Sequence, residues 1–164
     1  MQRRAAFAGS FDPPTNGHID IIERVCSHFD KLYVVVAHNE RKKSLFSPQE
    51  RAELFKKSLA HLKKKKNVEV LVCDTLLVDF CRKHGVNSLI RGLRAVSDFE
   101  GELQMASMNR NLAPEIETFH VMTDVKYSFV SSSLIKELAH FDAPLTQWVP
   151  TPVAVALKRK LQKK

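Results

Sequence analysis

Apolar runs alternate along this chain with segments whose apolar positions fall three and four apart. Residues 5–8 form a short apolar run ended by Gly9 and predict a first strand. Ile19, Ile22, Val25, Cys26 and Phe29 follow helical spacing, so residues 17–29 predict an amphipathic helix. Residues 32–37 are apolar throughout, as expected of a strand buried on both faces. Ser47, Pro48 and Glu50 have the order of a helix start, with Ser at the N-cap, Pro at N1 and Glu at N3. That helix is expected to reach about residue 62. A third strand is predicted over 68–72, a helix over 77–84 closed by Gly85, and a fourth strand over 88–90 ending at Arg91 and Gly92. Ser97 or Asp98 is expected to cap a helix to about residue 111. A fifth strand over 117–122 and helices over 131–139 and 152–161 complete the pattern.

Strand and helix alternate five times, which predicts an α/β fold: an open five-stranded parallel sheet covered by helices on both faces. No internal repeat or linker interrupts it, so a single domain is expected over residues 1–164, with a basic helix and tail from about 152. Ligands of such sheets bind beyond the carboxyl ends of the strands, where the strand order reverses. The segments that follow strands directly are 9–18, 38–43, 91–94 and 127–133.

Composition narrows the partners. The chain has 164 residues, of which 44% are hydrophobic, enough for a core. Lysine and arginine number 26 against 18 acidic residues, a formal net charge of +8. Nine of the basic residues lie in the run 63–66 and in the tail at Lys158, Arg159, Lys160, Lys163 and Lys164, leaving 17 basic against 18 acidic elsewhere. The excess is therefore confined to two short runs, and solvated faces are the ordinary reading of such runs. Cys26, Cys73 and Cys81 have no paired or metal-ligand spacing. No apolar stretch approaches the ~18 residues of a membrane span, and the N-terminus lacks the apolar centre of a signal peptide. A reduced, cytoplasmic protein is expected.

The candidate chemistry sits in the strand-following segments. Residues 9–18 read Gly-Ser-Phe-Asp-Pro-Pro-Thr-Asn-Gly-His and join strand to helix. His18 falls in the first turn of that helix, where free backbone N–H groups and the helix dipole favour an anion. Arg91 at a strand end offers a planar fork for phosphate oxygens. Ser131, Ser132 and Ser133 open a helix and bring hydroxyl and N–H donors together. Neither the GxGxxG fingerprint nor the P-loop GxxxxGK[ST] is present.

Thr15-Asn16-Gly17-His18 is similar to the (H/T)xGH motif of the nucleotidyltransferase superfamily, whose fold is Rossmann-like. Together with Leu-Ile-Arg-Gly-Leu-Arg-Ala-Val-Ser-Asp-Phe-Glu in mid-chain and Ser-Phe-Val-Ser-Ser-Ser near residue 130, it resembles the bacterial phosphopantetheine adenylyltransferase family. The resemblance runs to about residue 150. It implies transfer of AMP from ATP to 4′-phosphopantetheine, giving dephospho-coenzyme A and pyrophosphate. It implies that His18 stabilises the transition state at the α-phosphate, and that Lys42 and Arg91 hold the acceptor phosphate in line. Implied ATP contacts are Ser10, Phe11, His18, Gly92, Leu93, Arg94, Glu102, Tyr127, Ser128, Phe129, Val130, Ser131, Ser132 and Ser133. Implied phosphopantetheine contacts are Ser10, Lys42, Leu76, Leu77, Arg91 and Asn109, with Arg110 a further candidate. Three positions depart from the usual pattern: Ser10 for Thr, Phe7 for Tyr and Leu77 for Met. The resemblance also implies Mg²⁺ carried with ATP and no protein metal ligand, a homohexamer of two trimers, and coenzyme A as feedback inhibitor. No nucleic-acid or membrane partner is expected. The rival readings are an adenylyl- or cytidylyltransferase with nicotinamide mononucleotide as acceptor, and a nucleic-acid-binding protein.

Overall fold

A computed structural model describes residues 2–37, 43–60 and 67–162, with the backbone alone at Val96 and Ser97. Strands β1 (Arg4–Gly9), β2 (Lys31–Ala37), β3 (Val68–Cys73), β4 (Ser88–Leu93) and β5 (Glu117–Met122) form one parallel sheet in the order β3-β2-β1-β4-β5. The helices are α1 (Asn16–Val25), α2 (Pro48–Ser58), α3 (Leu77–His84), α4 (Val96–Leu112), α5 (Ser132–His140) and α6 (Thr151–Leu161).

The pleat of β1 explains why its run is apolar without alternation. Ala5 and Phe7 pack with Ile21 and Ile22 of α1 and Phe55 of α2 on one face. Ala6 and Ala8 pack with Val78 and Cys81 of α3, and with Ala113 and Ile116 beyond α4, on the other. Both faces are therefore covered, and every side chain of the strand core is withdrawn from water. A third apolar cluster joins α5 and α6 to Phe46 and Leu54. The chain winds from β1 through β2 to β3, then returns to place β4 on the other side of β1. Gly9 and the end of β4 thus lie side by side, and the connections leaving them diverge to open a crevice.

Element boundaries differ from the sequence expectation where side chains take over the backbone's hydrogen bonds. The first helix stops at Val25 rather than 29, and a 3-10 turn follows over Cys26–His28. The Asn67 amide donates to the carbonyls of Cys26 at 2.6 Å and Phe29 at 2.9 Å, taking acceptors that a longer helix would have used. Helix α2 ends at Ser58, short of the expected 62. Its start is as expected, with a capping box between Ser47 and Glu50. Gly85 closes α3 in the left-handed region, at φ 63°. Neither Ser97 nor Asp98 is the N-cap of α4; that position is Ala95, without a side-chain cap. β4 continues to Leu93, so Arg91 and Gly92 belong to the strand itself.

Candidate active site

A cleft of about 260 Å³ opens at the carboxyl ends of β1 and β4. The β1–α1 connection supplies Ser10, Phe11 and Thr15 to its wall, and the first turn of α1 supplies His18. The end of β4 supplies Arg91, Gly92 and Arg94, and α4 supplies Asp98 and Glu102. Tyr127, Val130 and the start of α5 at Ser131, Ser132 and Ser133 close the remaining side.

His18 is fixed by the same device that starts its helix. Thr15 is the N-cap of α1, and a capping box joins the two residues. The Thr15 backbone N–H donates to Nδ1 of His18 at 3.0 Å, and the Thr15 hydroxyl accepts from the His18 N–H at 3.4 Å. Histidine stands where a capping box usually carries Glu or Gln. With Nδ1 accepting, the ring proton of the neutral imidazole resides on Nε2. Burial, with the charges of Arg94 and Arg91 added, lowers the His18 pKa to about 3. The imidazole is thus a neutral Nε2–H donor at physiological pH. Phe11 packs edge-on against it with ring centroids 4.9 Å apart.

Each cleft arginine is held by a carboxylate. Arg91 donates through Nε and Nη2 to Glu102 at 2.8 and 2.7 Å, and through Nη1 to the Ala8 carbonyl at 2.5 Å. Arg94 pairs with Asp98 through Nε and Nη2, both at 2.9 Å, and donates to the Val130 carbonyl at 2.9 Å. Of five guanidinium N–H groups, each arginine therefore keeps two for a ligand. The Asp98 carboxyl is held below the usual range by its bonds to Arg94, against the opposing effect of burial. Gly92 gives Ile21 room: a Cβ there would stand 2.6 Å from Ile21 Cδ1.

The serines at α5 divide the remaining work. Ser131 caps the helix by accepting from the Leu134 N–H at 3.0 Å, and Ser132 donates to the Pro13 carbonyl at 2.8 Å. Asp12 is buried beneath the loop and accepts from Leu45 N–H and Phe46 N–H, and from Lys136 of α5, each at 2.9 Å. The loop of β1 is therefore tied to α5 and to the approach to α2.

Not every expected residue reaches this cleft. Leu93 pairs with Met122 in the sheet, and Ser128 bonds back to the Val125 carbonyl. Phe129 is 59% exposed, with its ring edge-on to Trp148. Leu76 is 55% exposed just ahead of α3, Leu77 packs against the core, and Asn109 is buried in α4. Arg110 is bound to Glu117 at the surface. Lys42 lies outside the described residues.

Sequence reasoning passed over Thr15 as the orienter of His18, Asp98 as the partner of Arg94, and Thr123 in the cleft wall. The spacing of Arg94 and Asp98, four residues apart at a helix start, carried a signal; the 3.9 Å approach of His120 in β5 to Glu102 in α4 did not. Among the described residues, no group of three His, Cys, Asp or Glu side chains could hold a metal, and no helix is long and apolar enough to cross a membrane.

Residues 6–138 match the cytidylyltransferase-like family model. A phosphopantetheine adenylyltransferase from Staphylococcus carnosus is 48% identical over 162 residues, covering 99% of each chain. One from Petrotoga mobilis is 49% identical over 99% of this chain and 98% of its own. Among solved structures, a bifunctional NMN adenylyltransferase/ADP ribose pyrophosphatase from Francisella tularensis superposes with a TM-score of 0.72 at 14% identity. That likeness covers 99% of this chain and 50% of the other, and it concerns the fold alone. With identity near one half sustained from end to end, the chain belongs to the phosphopantetheine adenylyltransferase family.

Proposed function

We infer that this protein transfers the adenylyl group of ATP to 4′-phosphopantetheine, releasing pyrophosphate and forming dephospho-coenzyme A. The observation that carries the reading is the convergence of the neutral His18 donor with Arg91 and Arg94 in one cleft. The acceptor is a phosphate monoester with a second pKa of about 6, so it is largely a dianion at neutral pH. Its oxygen attacks the α-phosphorus of ATP directly, the bond to the β-phosphate breaks, and no general base is required. What remains is to align two anions and to stabilise the charge at the α-phosphate. His18 Nε2–H donates to a non-bridging α-phosphate oxygen, and being neutral it gives no proton away. Arg91 holds the acceptor phosphate with its two free N–H groups, aided by Lys42. Arg94, Ser131, Ser132 and Ser133 receive the polyphosphate, while Phe11 borders ATP and Ser10 borders both ligands. Glu102 aims Arg91 from behind.

Mg²⁺ enters on the ATP phosphates. The two acidic side chains of the cleft, Asp98 and Glu102, are both committed to arginines, so the donor set does not fit a protein-held cation. The assembly is a homohexamer. Support comes from the exposed apolar side chains of Phe99, Leu103, Met105, Met108 and Leu112 on α4, with Phe119 and Met122 on the neighbouring edge strand. Light scattering should return six times the chain mass. Coenzyme A, which carries both an adenylate and a pantetheine arm, competes for the same cleft as feedback inhibitor. The protein acts in the cytoplasm as a single nucleotidyltransferase domain, without nucleic-acid or membrane partners.

The deciding experiment is pyrophosphate release from ATP with phosphopantetheine as acceptor. Release that depends instead on nicotinamide mononucleotide would overturn the assignment.

A further inference from the structure

Arg51 is the bulkiest fully buried side chain of the described core, 1% exposed. It forms no ion pair there. Asp12 acts on it through space, but the Asp12 oxygens are taken by Leu45, Phe46 and Lys136. The guanidinium donates instead to three main-chain carbonyls: through Nη1 to Ser10 and, at 3.3 Å, to Ala37, and through Nε to Ser47 at 3.3 Å. Burial lowers its pKa. Placing a guanidinium in a core without a carboxylate is costly, and an apolar side chain of like volume would hold α2 to the sheet more cheaply. The carbonyls it grips are therefore the feature to explain.

The Ser10 carbonyl belongs to the peptide that continues into Phe11, and a trans peptide points its C=O and N–H in opposite directions. Drawing the Ser10 oxygen down to Arg51 turns the Phe11 N–H away from the core. Ser10 and Phe11 line the cleft, and Arg51 does not. Among the described residues the Phe11 N–H has no acceptor. Phe11 also sits at φ 49°, in the left-handed region that a residue with a bulky side chain adopts only when its surroundings impose it. A residue in the left-handed region is one half of the αR–αL arrangement whose backbone N–H groups form anion-binding concavities.

We propose that Arg51 is a positioning residue: by holding the Ser10 carbonyl it aims the Phe11 N–H into the cleft as a donor to a phosphate oxygen. The proposal rests on the adenylyl-transfer reading for the identity of the anion, and on the hydrogen bonds above for the device.

The test uses the full chain labelled with ¹⁵N-phenylalanine and titrated with inorganic pyrophosphate. In the wild-type protein the Phe11 amide proton should move downfield and saturate together with binding measured by calorimetry. Arg51→Lys keeps the charge but cannot span three carbonyls. In that variant the Phe11 shift should fall by at least half, and the pyrophosphate dissociation constant should rise about tenfold, as for loss of one charge-assisted hydrogen bond. A wild-type Phe11 amide that stays still while pyrophosphate binds overturns the proposal, and it needs no variant to fold. So does an Arg51→Lys protein that melts lower yet keeps the wild-type shift and affinity, because the role is then structural alone. Failure of pyrophosphate to bind the wild-type chain would overturn the anion-site reading together with the proposal.

Discussion

The backbone N–H of Thr15 donates to Nδ1 of His18 at 3.0 Å, so the residue that starts helix α1 also sets the tautomer of the imidazole in the cleft. Only the Nε2 proton is then available to a ligand. His18→Ala should lower kcat by about 10²–10³, the cost of removing one donor made for the transition state, while ATP affinity measured by calorimetry stays nearly unchanged. Unaltered kcat would remove His18 from the mechanism.

The same histidine should leave a mark on stability. Its folded pKa of about 3 lies below its ordinary value of 6.5. Below pH 6.5 the unfolded chain gains a proton that the native state refuses, so stability declines as pH falls from 6.5 toward 3. His18→Gln abolishes this contribution. Its melting temperature, measured between pH 7.5 and 4.5, should fall less steeply than that of the wild type; parallel curves would contradict the neutral imidazole.

Arg91→Ala should weaken phosphopantetheine binding by about 1.5–3 kcal/mol, the range for a hydrogen bond to a charged group. Glu102→Gln leaves the guanidinium in place but loosens its aim. Its effect should be smaller, in the same direction, and confined to the acceptor's KM rather than that of ATP. Steady-state kinetics with each substrate varied in turn checks both variants.

The three cysteines should be silent in the folded protein. Cys26, Cys73 and Cys81 are buried, and burial pushes the Cys81 thiol up to about 12. Ellman's reagent should release no colour from the native chain on the time scale of minutes and three equivalents after denaturation in guanidinium. Rapid release of one equivalent from native protein would show a thiol at the surface.

The α/β architecture was legible because β1 and β2 are continuous apolar runs, and only a sheet covered on both faces makes that pattern economical. Helix starts were legible at Ser47 and Ser131, where the side chain itself caps. The start of α4 was not, because Ala95 caps nothing and Asp98 turns back to Arg94 instead. Long-range partners were invisible for a similar reason. Nothing local in the sequence says that Asn67 will end a helix 41 residues earlier, or that Asp12 will bond to Lys136 in α5. The motif segments did point to the cleft, but Phe129 shows that membership of a motif does not decide which side of the chain a residue faces.

The two arginine–carboxylate pairs of the cleft have a consequence for how ligands arrive. Long cationic side chains normally surrender rotamer freedom when they close on a phosphate, at about 0.5–1.5 kcal/mol each. Arg91 and Arg94 have already surrendered it on folding, because Glu102 and Asp98 hold each fork at a set angle. A polyphosphate therefore meets a preorganised lattice of donors rather than two flexible arms. Among the described residues of the cleft the two carboxylates offset the two guanidinium charges, and each carboxylate is already engaged by its own arginine.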